Sequence, residues 1–305
     1  MDISRIDIAD FVYFMSIARW GSFRRAAAEL DVTPSALSHA IRSLEERLGV
    51  RLINRTTRSV TLTAAGEELR ASIDAPFHEI AEARERLNRY RDAPAGRVRI
   101  NMPEDAFTLL IEPVMPIFAD RYPDVEVDVS VTNRLIDVVD EGFDAGIRYG
   151  GTVPEDMIAQ RLSPDLVWFA AASPDYLERN GIPEHPADLR RHKCIRIRLG
   201  NDKVYDWEFG SYGQEFSVTT PGQMTVDNTR AMLSFGVSGL GIIYATRPVL
   251  APYLGSGQLQ LILEDWGSPD DGFHIYYSSR RQVPNGLRLL IETIREVDPL
   301  GGKAG

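Results

Sequence analysis

Residues 23–66 read FRRAAAELDVTPSALSHAIRSLEERLGVRLINRTTRSVTLTAAG, and this stretch decides the fold of the amino-terminal part of the chain. Ser22, just before it, suits the N-cap of a short helix from Phe23 to Leu30, because its hydroxyl can accept an otherwise unpaired backbone N–H. Asp31-Val32 leaves room only for a tight turn. Thr33 then caps a second helix with Pro34 at its first position, where a missing N–H costs nothing. Leu37, Ile41, Leu44 and Leu48 follow at spacings of 4, 3 and 4, which lines them along one face. Ser35, Ser38, His39 and Arg42 fall opposite, and Gly49 ends the helix. Val50–Ile53 and Ser59–Leu62 read as a hairpin with Arg55-Thr56-Thr57-Arg58 at its tip.

Upstream, residues 6–18 put Ile8, Phe11, Val12, Met15 and Ala18 on one helical stripe, and Gly21 stops that helix. Two helices joined by a tight turn, the second starting with short polar side chains, follow the plan of a helix-turn-helix, whose second helix enters the major groove of DNA. The hairpin then has the form of a wing, with basic residues able to reach a phosphate or the minor groove. An ordinary three-helix bundle with solvated arginines fits the helix pattern as well. Charge distribution favours the first reading. The net charge is −10, yet between residues 19 and 58 eight arginines face four acids, a local +4. From residue 93 onward 20 basic side chains meet 30 acidic ones. One end of an acidic protein is therefore suited to meet a polyanion.

Downstream, Thr63 can cap a long helix reaching about Asp92. Leu69, Ile73, Pro76, Ile80, Ala83, Leu87 and Tyr90 alternate at spacings of 4 and 3, the 3.5-residue period of a coiled-coil seam, which predicts dimerisation. Pro76 removes one internal hydrogen bond and predicts a kink or break. A helix packed on its own chain is the alternative. Asp92-Ala93-Pro94-Ala95-Gly96 is a linker.

The remainder alternates strand and helix: a strand over 97–101, a helix over 106–121, a strand with Val125, Val127, Val129 and Val131, a helix with Leu135, Ile136, Val138 and Val139, and a strand ending DAGIRYG. A second unit begins near Leu166, and the chain returns to a strand over 273–278 and a helix over 283–297. That alternation predicts a mainly parallel sheet in one or two α/β subdomains, with a ligand crevice at the carboxyl ends of the strands. With 305 residues, 44% hydrophobic and 26% charged, the chain is long enough for several domains. No apolar run approaches the ~18–20 residues of a membrane span, and MDISRIDIADF does not read as a secretory signal. Cys194 alone excludes an internal disulfide and reads as a packed, inert thiol. No P-loop, His-Glu-x-x-His or Gly-x-Ser-x-Gly run occurs, and His185, His192 and Cys194 fit no standard zinc spacing. Gly236–Gly241 follows a helix and precedes a strand, the reverse of a dinucleotide fingerprint, so it is assigned to turn and packing. Neither enzyme, cofactor nor metal is expected.

The stretch 23–66 resembles, without gaps, the winged helix-turn-helix of LysR-type transcriptional regulators. RYPDVEVDVSV, DEGFDAGIRYG, SPDYLERNGIPEHPADLRRHKC and GLGIIY are similar to the effector-binding domain of the same family, so the likeness covers nearly the whole chain. The resemblance implies an α/β multidomain fold: a winged helix-turn-helix over 1–62, a linker helix over 63–92 that pairs subunits through Leu69, Ile73, Ile80, Leu87 and Tyr90, and a two-lobed, periplasmic-binding-protein-like effector domain over 93–305. Its first lobe would span about 93–163 and 266–305 and its second 164–265, with crossovers at Leu162–Asp165 and Glu264–Gly267. Implied DNA contacts are Thr33, Pro34, Ser35, Ser38, His39, Arg42, Arg55 and Arg58; His39 departs from the arginine or glutamine more common in the family. The implied effector site is Asn101, Glu104, Asp105, Thr132, Asn133 and Arg148, with Arg196, Asp227 and Asn228 from the second lobe. Relatives often place serine or threonine where this chain has Glu104 and Asp105. Those acids either cap their own helix or occupy an anion site, and the second reading favours an amino-acid-like effector. A cytoplasmic homodimer or homotetramer acting on double-stranded promoter DNA with RNA polymerase is the implied whole.

Overall fold

The computed structural model describes residues 5–55, 60–86, 94–139, 141–154, 157–198, 203–211, 214–278 and 283–302. It divides into two compact units, 1–87 and 88–305.

In the first unit α1 (Arg5–Trp20), α2 (Phe23–Glu29) and α3 (Pro34–Leu48) precede the hairpin of β1 (Ile53–Arg55) and β2 (Val60–Leu62), and α4 (Ala64–Arg86) follows. The local signals act as read. Ser22 caps α2, Thr33 accepts the Ala36 N–H at 3.2 Å, Gly49 takes a left-handed conformation, and Thr63 accepts the Gly66 N–H at 3.0 Å. Phe14, Ile17, Ala26, Ala27, Leu37, Ile41, Leu44, Leu52 and Ile53 form the core. Glu45 ties the hairpin to α3 by accepting the Leu52 and Ile53 N–H groups at 2.8 and 3.1 Å.

The stripe expected on α1 is rotated. Asp10, Phe14 and Ile17 are buried, whereas Ile8 and Val12 are 48% and 37% exposed. An ion pair crosses from the buried face, Arg47 of α3 donating to Asp10 at 2.6 Å. Leu48 likewise ends 43% exposed, at the last turn of its helix. Of the kink or break expected at Pro76, the break does not occur: α4 runs through it. Its seam is divided: Leu69 and Ile73 pack on the bundle's own core, while Ile80 is 63% exposed. Leu87 and Tyr90 lie outside the described residues.

The second unit comprises β3 (Gly96–Met102), α5 (Glu104–Ala106), a π-helical turn (Phe107–Ile111), α6 (Met115–Arg121), β4 (Val125–Val131), β5 (Ala145–Tyr149), β6 (Met157–Arg161), β7 (Leu166–Ala172), α7 (Pro174–Asn180), β8 (Ile195–Ile197), β9 (Trp207–Ser211), β10 (Gln214–Val218), β11 (Met224–Val226), α8 (Thr229–Val237), β12 (Ile243–Thr246), α9 (Arg247–Gly255), β13 (Gln260–Ile262), β14 (Ser268–Asp270), β15 (Phe273–Ser278) and α10 (Asn285–Val297). Two sheets define two lobes. The first has the order β4-β3-β5-β15-β6; in the second, β7 pairs β12, β13 and β14.

Several expectations are corrected. The sheets are mixed rather than mainly parallel: β3 runs parallel to β4 and β5, β15 antiparallel to β5 and β6, and every partner of β7 is antiparallel to it. The helix expected over 106–121 is broken, because Pro113 and Pro116 cannot donate to the preceding turn. The chain widens ahead of them, the Glu112 N–H bonding Phe107 O at 2.8 Å, and restarts as α6. No helix forms at Leu135–Val139; the Asp137 side chain accepts the Val139 N–H at 2.8 Å, a local bond that competes with a helical one. The first crossover lies at 162–165, between β6 and β7. The return comes later than Glu264–Gly267, because that segment forms a 3₁₀ turn leading into β14, which still pairs β7; the chain leaves at Asp271-Gly272. Gly272 (φ +74°) sits where a Cβ would lie 2.1 Å from Pro164 O, so the two crossovers touch and only glycine fits.

Candidate functional site

Capping at Thr33 fixes where α3 begins, and the burial of Leu37, Ile41 and Leu44 fixes which face turns outward. Thr33, Pro34, Ser35, His39 and Arg42 are exposed on that face, and Ser38 is half-buried among them. The Thr33 and Ser35 hydroxyls lie 3.0 Å apart. Arg55 ends β1, and the placement of its side chain and of Arg58 lies outside the described residues. Not every arginine in the basic stretch faces outward unpaired. Arg19 pairs with Glu29 at 3.0 Å and Arg47 with Asp10, so both serve the fold, whereas Arg42 has no ion pair among the described residues. Counting charges along the sequence could not separate these roles. The face can present hydroxyls, an imidazole and a guanidinium to base edges and phosphates.

In the second unit the residues expected to bind a ligand form two clusters. The first is built on Asn101 of β3 and Arg148 of β5, both buried. Arg148 donates to Asn101 Oδ1, to Ile147 O at 2.7 Å and to Arg134 O at 2.8 Å, while its Nε has no partner. Burial lowers its pKa, a tendency the nearby Tyr276 hydroxyl opposes. Among the described residues no carboxylate pairs with this cation, which is only 4% exposed.

The second cluster lies at the amino end of α8. Glu104 accepts the Arg230 N–H at 3.0 Å, and Asn133 Nδ2 donates to Asp227 O at 2.7 Å. Asp105 is 8% exposed and accepts hydrogen bonds from the Tyr149 hydroxyl at 2.8 Å and from the Thr229 side chain. Its pKa is raised by burial, and Glu104 adds to the rise while the two hydroxyls oppose it. Asn228 caps α8 by accepting the Ala231 N–H at 2.9 Å. Thr132 turns back to accept the Arg134 N–H at 3.2 Å. Arg196 sits on β8 with a buried, unpartnered Nε and joins neither cluster. Consecutive strand residues point to opposite faces, so Arg148 and the Tyr149–Asp105 pair lie on different sides of β5.

One feature escaped the sequence reading. A run of rings crosses from lobe to lobe: Phe273–Tyr149 (4.5 Å between centroids), Tyr149–Trp168 (5.2 Å), Trp168–Tyr244 (5.4 Å, stacked) and Tyr244–Trp207 (5.2 Å, stacked). Trp168 Nε1 donates to Asp270 at 3.3 Å. Phe273 meets Tyr149 through the pairing of β15 with β5, and Trp168 meets Tyr244 through that of β7 with β12, so no short motif signals the run. A groove of about 520 Å³ opens beside Glu104 and Asp105, walled by Phe107, Leu109, Leu233, Pro248 and Tyr253. Cys194 is buried, which pushes its thiol up to about 12 and keeps it protonated. Among the described residues no cluster of three metal-ligating side chains occurs, and no helix is long and apolar enough to cross a membrane.

The profile of the LysR substrate binding domain matches residues 91–299, and that of the bacterial regulatory helix-turn-helix protein, lysR family, matches residues 8–67. The HTH-type transcriptional regulator YcaN of Escherichia coli K12 is 37% identical over 291 residues, 95% of each chain. PgrR of the same organism, also an HTH-type transcriptional regulator, is 33% identical over 294 residues, 96% of this chain and 98% of that one. The full-length structure of the Vibrio cholerae virulence activator AphB has a TM-score of 0.66 at 24% identity, covering 94% of this chain and 98% of that one; the likeness concerns the fold. These relatives are named as transcriptional regulators and not as enzymes. With both parts of the chain matched in order, the protein belongs to the LysR family of DNA-binding transcriptional regulators, with a helix-turn-helix at its amino end and an effector-binding domain behind it.

Proposed function

We propose that this regulator binds a pseudo-palindromic promoter site as a dimer or tetramer in the cytoplasm, and that a small molecule in the cleft of its second unit alters its contacts with RNA polymerase. The observation that carries the DNA reading is the solvent-facing start of α3, where Thr33, Pro34, Ser35, Ser38, His39 and Arg42 share one face above a fully packed core. Arg55 and Arg58 are assigned to wing contacts. In α4, Leu69 and Ile73 serve the bundle, and the exposed seam beginning at Ile80, with Leu87 and Tyr90 beyond, is assigned to subunit pairing. Two reading heads related by a two-fold axis require half-sites in register with the ~10.5 bp helical turn.

Arg148 supports an anionic group on the effector, since an unpaired buried guanidinium is costly without one. Glu104, Asp105 and Asp270 lie on the other side of β5 from Arg148 and support a cationic or donor-rich group there, so an amino-acid-like effector would span the end of that strand to meet both. Arg196, Asp227 and Asn228 complete the assignment from the second lobe, with Asn101, Thr132 and Asn133 from the first.

A gel-shift assay with the DNA upstream of its own gene tests the DNA reading. Tight, salt-sensitive binding is expected; no binding at low salt overturns it. Ile80→Glu should leave the bundle folded but dissociate the oligomer, read by sedimentation equilibrium, because an unpaired charge in an apolar seam costs several kcal/mol. Calorimetry with matched amino acids, amines and simple carboxylates tests the ligand class, which fails if only simple carboxylates bind.

A further inference from the structure

Glu104 and Asp105 stand in the first turn of α5, where acids would ordinarily serve the helix they start. They do not. The N-cap of α5 is Pro103, without a side-chain cap bond, and the helix is only three residues long. Both carboxyls instead reach a nine-residue helix of the other lobe. At the amino end of α8, the Ala231 N–H is satisfied within the lobe by Asn228, and the Arg230 N–H by Glu104 from across the cleft. Asp105 accepts a hydrogen bond from the Thr229 side chain, and Asn133 Nδ2 donates to Asp227 O at 2.7 Å. Three side chains of the first lobe thus hold three residues of the second, Asp227, Thr229 and Arg230. Tyr149, which binds Asp105, continues the junction by packing on Trp168.

We propose that Glu104 is a tethered carboxylate ligand for the amino terminus of α8, a positioning residue that latches the two lobes together and that a free carboxylate entering this part of the cleft must displace. The proposal rests on reading the second unit as an effector domain only for that last clause; the latch is a property of the contacts themselves. Its physical basis is the unsatisfied N–H groups and partial positive charge that every helix presents at its start. Among the described residues the α8 start already has an internal carboxylate, so a plain anionic ligand gains little there while Glu104 remains in place.

Chemical rescue in the full-length protein tests this. Glu104→Ala should speed hydrogen exchange at the Arg230 amide by about five- to tenfold, the scale of one lost cap. It should also lower the melting temperature of the second unit by about 2–4 °C. Sodium acetate should restore both in this variant, and sodium chloride at equal ionic strength should not. Glu104→Gln, which fills the space without the charge, should lose part of the protection and show no acetate response. If Glu104→Ala does not fold, Glu104→Gln alone decides, by slower or unchanged exchange against the loss expected. Unchanged Arg230 protection in Glu104→Ala, equal restoration by chloride, or equal acetate response in wild type overturns the latch. A failure of every small molecule to alter DNA binding would instead overturn the effector reading and leave these outcomes standing.

Discussion

The amino ends of α3 and α8 are built alike and used differently. Each helix follows an extended N-cap residue, Thr33 or Asn228, whose side chain accepts the N–H three positions on. At α3 no acidic residue stands in the first turn, and the residues around it are exposed. At α8 the N–H one position earlier, that of Arg230, is taken by Glu104. The same dipole and the same orphan donors therefore end in two states: one start open to an external anion such as a DNA phosphate, the other closed by a carboxylate of the same chain.

The largest expected effect comes from making the first end resemble the second. Ser35→Glu puts a carboxylate on the first turn of α3, where it should stabilise the isolated helix by about 0.3–1 kcal/mol. Opposed to DNA phosphate it should cost several kcal/mol of binding, a loss of about 100-fold or more in a gel shift. Retained affinity would show that the start of α3 does not meet DNA. Arg42→Ala should have a smaller effect. If Arg42 contacts a phosphate, the slope of log K against log salt should fall by about 1 and affinity should drop alike on all sequences. If it reads a base, discrimination at one position should relax by about 1–3 kcal/mol. Titrations at several salt concentrations separate the two.

Asn228→Ala removes the internal cap of α8 and should destabilise the second unit by about 1 kcal/mol, measured by urea unfolding, with no change in DNA affinity when effector is absent. Asp105→Asn should have the smallest effect near neutral pH on binding but a distinct one on pH dependence. The Asp105 pKa is raised in the folded protein by burial, so the folded state holds this proton more tightly than the unfolded chain. The associated stability is present below the ordinary carboxylate range and is lost as pH rises through the folded value. The wild type should thus lose stability over that interval, and Asp105→Asn should flatten the loss. A parallel decline in both proteins would show that the buried carboxyl is not its source.

What could be read from residues in order was whatever depends on near neighbours. A cap joins groups three positions apart, a helical face repeats every three or four, and a left-handed glycine needs no partner at all. Thr33-Pro34, the Leu37–Ile41–Leu44 face, Gly49 and Thr63 carry such signals, and the helices of the reading head follow from them. The strand over 273–278 and the helix ending at Val297 were equally apparent, because their patterns extend over several turns or pleats. The face of α1 was not, since it buries a charged residue, Asp10, whose partner Arg47 comes from another helix. Nor was the late return crossover, which follows from β14 adding to β7.

The site divides along the same line. The residue types were evident: two acids after a strand, and an arginine and tyrosine ending another. Their roles depended on partners brought near only by folding. Arg148 could be read as facing the acids across a cleft, yet the alternation of a strand sends it to one side of the sheet with Asn101 and sends Tyr149 to the other with Asp105. Glu104 could be read as capping its own helix or occupying an anion site, and its carboxylate completes a helix of the other lobe. Local chemistry determined which elements form and where they begin; only the tertiary structure decided which unsatisfied group each charged side chain would meet, because those groups come from distant parts of the chain.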